Sequence, residues 1–216
     1  MKIEVNRLHH PVTALGPGTR AGIWVQGCSI GCRGCLSRDT WKARTEARTE
    51  VAAVLEWAAA LPAAEVDGVT ISGGEPFDQP EALLELLAGL AAWRAQRPGE
   101  VDVLCYSGYS LRHLERRYPQ ALDLVDAVVT GPYREDLPTD LIWRGSANQE
   151  LVPCSPIGRA RYAEFVECRP TEPPIQVAVG PRAIRLIGVP RRGDMASLEA
   201  ALSGVGVELG ESSWTP

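Results

Sequence analysis

The chain has no apolar run approaching the ~20 residues that a bilayer-crossing helix needs. Its first residues, MKIEVNRLHH, lack the apolar stretch of a secretory signal. Basic charge is not in excess: 22 Lys and Arg stand against 27 Asp and Glu, a formal net charge of −5. That removes the long-range attraction on which a nucleic-acid partner would draw. The short Arg-rich pieces, Arg112 to Arg117 and Arg191-Arg192, lie beside acidic residues and read as solvated faces. Internal repeats and long low-complexity segments are missing too. Cysteines number six, and three of them crowd one short loop, which does not suit the disulfide framework of a small secreted domain. These absences lead us to expect a soluble chain in a reducing, cytoplasmic location, with no membrane and no nucleic-acid partner.

A composition 45% hydrophobic and 23% charged over 216 residues suits one globular core with a small appendage. Lys2 to Asn6 alternates weakly, as an edge strand would, and His10 to Gly18 is turn-rich and reads as a loop. Ala21 to Gln26, Val66 to Ser72, Val101 to Tyr106 and Val125 to Thr130 are short apolar runs that fit buried strands. Helical spacing lies between them. Thr49 can cap a helix to about Leu61 with Val51, Val54, Leu55 and Ala58 on one face; Leu83, Leu84, Leu87 and Leu90 follow Pro80; Ser110 to Tyr118 makes a short helix. Strands alternating with helices predict βαβ units and a parallel sheet. The chain is too short for a full eight-unit barrel of ~250 residues, so we expect an α/β fold that is an incomplete, open barrel. The character changes near Ser155. Ile175 to Val179 and Ala183 to Leu186 read as a hairpin, Met195 to Leu202 as a helix and Val205 to Leu209 as a last strand. The expected division is a core over 1–154 and a small α+β extension over 155–216.

In α/β sheets, ligands gather at the C-terminal ends of the strands, and the unusual sequences fall at those ends. CSIGCRGC follows the first core strand, GGEP the second, YSGY the third and TGPY the fourth. Cys28, Cys32 and Cys35 form the pattern C-x3-C-x2-C. Thiolates at such spacing can wrap an iron–sulfur cluster, which usually takes four ligands, so three would leave one iron open. Gly27, Gly31 and Gly34 permit tight turns around a bulky group. A tetrahedral zinc site is the alternative, with a fourth ligand from His9, His10, Cys105, Cys154 or Cys168. Gly73-Gly74-Glu75-Pro76 reads as a plain βα turn or as a place where a polar ligand, such as an amino group, reaches unpaired backbone. Cys154, Cys168 and Cys105 read as buried or incidental thiols, and Trp24 and Trp41 as shields beside the cysteine loop.

Taken together these residues resemble the radical S-adenosylmethionine (SAM) activating enzymes that install glycyl radicals. Gly16-Pro17-Gly18 and then Arg20 precede the first strand as in those activases. Arg38-Asp39-Thr40-Trp41 is similar to pyruvate formate-lyase activating enzymes, and Gly34-Cys35 to anaerobic ribonucleotide reductase activating proteins. Gly73 to Pro76 resembles the family's SAM-binding GGEP. Tyr106 to Tyr109, Gly131-Pro132-Tyr133 and Arg144-Gly145-Ser146-Ala147-Asn148-Gln149 resemble the reductase-activating branch. The chain departs from the pattern at Gly34, often aromatic in the superfamily, at Leu36-Ser37, usually Tyr-Asn in that branch, and at Thr130, commonly acidic. These departures leave the radical acceptor open.

The resemblance implies a [4Fe–4S] cluster on Cys28, Cys32 and Cys35, with SAM on the open iron. It further implies Gly73, Gly74, Glu75 and Pro76 around the methionine part of SAM, and Ser107, Arg144 and Asn148 as SAM or substrate contacts. An electron from a flavodoxin- or ferredoxin-like donor would cleave SAM to a 5′-deoxyadenosyl radical, and the implied partner is a glycyl radical enzyme of the anaerobic ribonucleotide reductase kind. Two alternatives stay open at this point. One is a stand-alone radical SAM enzyme acting on a peptide or small molecule. The other is an iron–sulfur electron-transfer or regulatory protein that does not cleave SAM.

Overall fold

A computed structural model describes residues 1–180, 183–207, 210 and 213. The strands are β1 (Lys2–Val12), β2 (Arg20–Val25), β3 (Arg48–Glu50), β4 (Gly68–Gly73), β5 (Asp102–Tyr106), β6 (Ala127–Thr130), β7 (Glu150–Pro153), β8 (Ile175–Val179) and β9 (Ile184–Gly188). The helices are α1 (Val51–Ala59), α2 (Pro80–Arg94), α3 (Leu111–Arg117), α4 (Pro119–Leu122), α5 (Pro156–Tyr162) and α6 (Asp194–Gly204). One seven-stranded sheet runs in the order β3-β1-β2-β4-β5-β6-β7, and β8 and β9 form a separate hairpin. β2, β4, β5 and β6 are parallel, and the outer pairings are antiparallel. The fold is therefore mixed α/β with a mostly parallel centre. The sheet ends at β3 on one side and β7 on the other and does not close on itself. Among the described residues no helix is long and apolar enough to cross a membrane.

The parallel strands are buried on both faces, so they read as continuous apolar runs rather than alternating ones. On one face α1 and α2 bury Val51, Val54 and Ala58, and Ala82, Leu83, Leu86, Leu87 and Leu90, against Ile23, Val69, Ile71 and Val103. Leu86 takes the buried place expected of Leu84, because the stripe drifts with the 3.6-residue turn. Thr49 is not the cap of α1: it pairs with Ile3 in β3, and Glu50 is the cap. Ser110 does cap α3, accepting from the His113 N–H.

Three expectations change. β1 is not an edge strand, because β3 adds outside it with Lys2 opposite Glu50. It also runs through the expected loop as far as Val12; a register shift between His9 and Val12 accommodates Pro11, which has no N–H to donate. Val205 to Val207 make a turn closing α6, not a strand, with the Val205 and Gly206 N–H groups bound to Leu202 and Ser203. Leu209 lies outside the described residues. β7, which follows Asn148 and Gln149, pairs antiparallel with β6.

At the N-terminal ends of the parallel strands lies a buried charge network. Arg20 and Asp102 are both fully buried and joined by Nη2–Oδ1 and Nη1–Oδ2 contacts of 2.6 and 3.2 Å. Arg20 also donates to Thr70 Oγ1 and to the carbonyls of Pro17 and Val69. Helix α5, packed against β6 and β7, brings Arg161 Nε to 2.9 Å from Asp102 and the Tyr162 hydroxyl onto Oδ1. Every donor of the Arg20 fork is satisfied, and β2, β4, β5 and α5 are tied at one point. Removing the anion leaves a buried cation unpaired, which costs about 3–5 kcal/mol. Asp102→Ala is expected to lose that much in urea unfolding, whereas Glu100→Ala, on the exposed turn before β5, should lose under about 0.5 kcal/mol.

Candidate metal centre and ligand cavity

The cysteine loop leaves the C-terminal end of β2 and is held at its base by Gly27 N–H to Thr40 O and Cys28 N–H to Trp41 O. Gly27, Gly31 and Gly34 all have positive φ, between 58° and 96°. Cys28, Cys32 and Cys35 are free thiols, half-buried. Burial pushes the Cys28 and Cys32 thiols up. Backbone N–H groups of Gly31 and Ile30 at Cys28, and of Tyr133 at Cys32, act the other way by favouring the thiolate. Among the described residues no group of three or more His, Cys, Asp or Glu draws together tightly enough for a single metal ion. Thiolates are the usual ligands of four-iron clusters. Half-buried thiols with N–H donors aimed at two of them, on a glycine-rich loop, fit such a cluster.

GGEP is stitched directly to this loop. Gly74 N–H donates to Val25 O, and Glu75 N–H to Gly27 O, both at 2.9 Å. A Cβ on Gly74 would stand 2.0 Å from the Gly27 carbonyl oxygen, so the two chains cross only where one has no side chain. The Glu75 carboxylate is turned inward, 1% exposed. It accepts from Phe77 N–H, Gly108 N–H and the Ser107 hydroxyl at 3.0, 2.7 and 2.9 Å. Burial pushes it up to about 7 despite those three donors. Pro76 starts a short 3-10 turn ending at Asp78.

Residues that sequence reasoning passed over complete the stitching. Asp78 accepts from the Ser29 N–H and hydroxyl inside the cysteine loop, and from the Tyr109 hydroxyl after β5. Gln26 Nε2 donates to the carbonyls of Asp39 and Lys42. Glu4 accepts from Arg44 N–H and Arg48 Nε. The one available signal was the position of Asp78, three residues past Glu75; its partners are far away in the chain.

Of the two remaining predicted contacts, Arg144 is committed elsewhere and Asn148 only through its Nδ2. Arg144 is 5% exposed, and its guanidinium bonds the carbonyls of Ile142, Phe165 and Val166. Asn148 Nδ2 donates to Pro132 O, while its Oδ1 is buried with no partner. Gln149 accepts from Gly145 and Ser146 N–H and donates to Gly131 O, which shapes the TGPY turn.

Beside these loops opens a cavity of about 1780 Å³. Its floor is the sheet face opposite α1 and α2, with Trp24, Ser72 and Tyr106; Leu15, Cys35, Tyr133 and residues of β8, β9 and α6 complete the lining. Of the predicted site residues only Cys35 lines it; Gly73 to Pro76, Ser107, Arg144 and Asn148 lie behind or beside the wall, next to lining residues Ser72, Tyr106, Gly145 and Gln149. The Tyr106 hydroxyl and the Trp143 indole N–H, on two lining residues, are buried without partners. A polar organic ligand fits that deficit.

Comparison with known proteins adds the following. Residues 14–152 match the family described as "4Fe-4S single cluster domain". The chain is 35% identical over 136 residues to the anaerobic ribonucleoside-triphosphate reductase-activating protein of Enterobacteria phage T4, covering 63% of this chain and 85% of that one. It is 33% identical over 145 residues to the protein of the same name from Escherichia coli K12, covering 65% and 93%.

Two outcomes follow from the loop crossing and from Glu75. Gly74→Ala should cost about 1–3 kcal/mol or more, because both clashing groups are backbone. It should also lower iron content after anaerobic reconstitution; normal iron content would show that the loops can separate. For Glu75, the unfolded carboxyl titrates near ~4.3, below the folded value of about 7. The folded state then holds more protons between the two, so stability falls as pH rises through that window. Urea midpoints of the cluster-free chain at pH 5 and 8 should show this fall, and Glu75→Gln should flatten it; an equal slope in both proteins would rule the carboxyl out as its source.

Proposed function

Since the chain belongs to the 4Fe-4S single cluster domain family, together with the anaerobic ribonucleoside-triphosphate reductase-activating proteins, we propose that it is a radical SAM activating enzyme whose partner is a glycyl radical enzyme of the anaerobic ribonucleotide reductase kind. In this reading residues 1–154 are a partial radical SAM barrel, and 155–216 are an extension anchored to it through α5. The observation that carries it is the meeting of three half-buried thiols and a GGEP turn at the same strand ends, beside a cavity with unpartnered polar groups. When bound, a [4Fe–4S] cluster supplied with one electron by a flavodoxin- or ferredoxin-like donor provides reductive cleavage of SAM to methionine and a 5′-deoxyadenosyl radical.

The chain's own residues have distinct tasks. Cys28, Cys32 and Cys35 would hold the cluster through their thiolates. The N–H groups aimed at Cys28 and Cys32 hold thiolate charge in a half-buried loop. The turn at Gly73 and Gly74 takes the amino-acid part of SAM in this reading, while Glu75 and Ser107 lock that turn to the end of β5. Pro76 sets the direction of the chain beyond the turn. Asn148 Oδ1 remains available as an acceptor, and Arg144 positions the segment carrying it through the carbonyls it binds. Trp24, Leu15 and Trp143 exclude water from the cavity. The reducing cytoplasm suits an oxygen-sensitive cluster on free thiols.

A second reading, a stand-alone radical SAM enzyme acting on a peptide or small molecule, is favoured by one observation. The hairpin and α6, beyond the matched residues 14–152, form a wall of the cavity. Anaerobic reconstitution, dithionite and SAM should yield 5′-deoxyadenosine, and Cys32→Ala should abolish it. A loaded cluster with no 5′-deoxyadenosine, even with a candidate glycyl radical enzyme present, would overturn both readings in favour of electron transfer or regulation. Cleavage without transfer of a radical to that partner would favour the second.

A further inference from the structure

We propose that Arg7 and Arg185 form an anion subsite on the cavity wall that takes the phosphate group of a small phosphorylated ligand. Both residues line the cavity. Arg7 lies opposite Trp24 in the β1–β2 ladder, its guanidinium carbon 4.7 Å from the centre of the indole ring. Stacking covers one face of the guanidinium and fixes its plane, which leaves the edge to bind oxygens in pairs. Its Nε is buried and has no partner. Arg185 sits in β9, two residues from Ile187 on the same face of the hairpin. Ile187 packs with Trp24, Val12 and Leu15 in one apolar cluster, so the hairpin turns that face toward the indole on which Arg7 is stacked. The two guanidinium groups lie near enough for the charge of Arg185, which reaches along the hairpin toward Gly180, to act on Arg7.

Among the described residues neither arginine has a carboxylate within ion-pair distance. Burial lowers the pKa of Arg7; Asp39 opposes this from beyond ion-pair range and the charge of Arg185 adds to it. His9 is lowered by burial and then by Arg185, Arg7 and His10. In a chain of net charge −5 the surroundings of Arg7, Arg185 and His9 are locally positive and partly desolvated, with Asp39 as the opposing charge on Arg7. A phosphate monoester carries about −1.5 to −2 at pH 7 and balances two guanidinium groups, where one carboxylate balances only one. Its oxygens also match the planar fork of arginine. Arg7 and Arg185 both lie outside residues 14–152, so the subsite is built by the flanking segments rather than by the matched core. It does not depend on the reaction proposed above.

The test is isothermal titration of the full, cluster-loaded chain under anaerobic conditions at low salt. The probes are inorganic phosphate, adenosine monophosphate and acetate. Phosphate and the nucleotide should bind and acetate should not. Tighter binding of the nucleotide identifies a nucleotide ligand, and equal binding identifies the phosphate group alone as what is recognised. Arg7→Gln and Arg185→Gln should each weaken binding by roughly 10- to 100-fold, the loss expected for charge-assisted hydrogen bonds, with iron content unchanged. Arg185 is exposed, so its variant keeps the test valid even if Arg7→Gln unfolds. Undiminished phosphate binding in Arg185→Gln, acetate binding as tight as phosphate, or no binding of either phosphate probe at millimolar concentration would overturn the proposal.

Discussion

The crossing of Gly27 and Gly74 sets the geometry on which the candidate centre depends. A carbonyl oxygen of the cysteine loop occupies the space where a side chain on Gly74 would stand. The Glu75 N–H then binds that same oxygen. The cysteine loop and the GGEP turn therefore cannot be placed independently. Asp78 repeats the tie farther along, holding Ser29 from the first loop and Tyr109 from the third. Glu75 repeats it again, holding Ser107 and Gly108. Three loops from three strand ends become one rigid surface through backbone and carboxylate hydrogen bonds, before any cofactor is considered.

The opposite ends of the same strands are built for stability. There Arg20 and Asp102 are buried together, with every donor of the guanidinium satisfied. A buried pair adds little net stability compared with an apolar pair, but it penalises misregistered strands strongly, since any slip leaves a charge without its partner. That pins the relative heights of β2, β4 and β5, and so the heights at which their loops emerge. The division follows the general rule for α/β sheets, in which ligands collect at the carboxyl ends of the strands.

The extension adds a wall to an open sheet face, and the cavity between them stays partly open. Ile187 and Ala178 pack on Val12, Leu15 and Trp24, and Gln176 bonds Thr13 and Pro11, so the hairpin is fastened to β1 and the turn after it. The outer hairpin positions Val177 and Val179 stay exposed. The wall thus added brings arginines to a cavity whose floor is mainly apolar and aromatic, and it does so from a segment beyond the matched core.

Sequence alone determined the alternating strand–helix order, the four apolar parallel strands and the placing of CSIGCRGC, GGEP, YSGY and TGPY at their ends. Those features are local: apolar runs, helical spacing and glycine turns act over a few residues. It also showed the hairpin and α6. Only the tertiary structure decided what depends on distant partners. β1 became an inner strand because Arg48 to Glu50 pairs outside it. Glu75 turned into the protein because Ser107 and Gly108 arrive from β5 to receive it. Arg144 was taken up by the carbonyls of Phe165 and Val166. The tie made by Asp78 and the burial of Arg20 with Asp102 each join residues tens of positions apart. Hydrogen bonds and charges act through space, and a linear pattern carries no record of which distant group folding will bring to meet them.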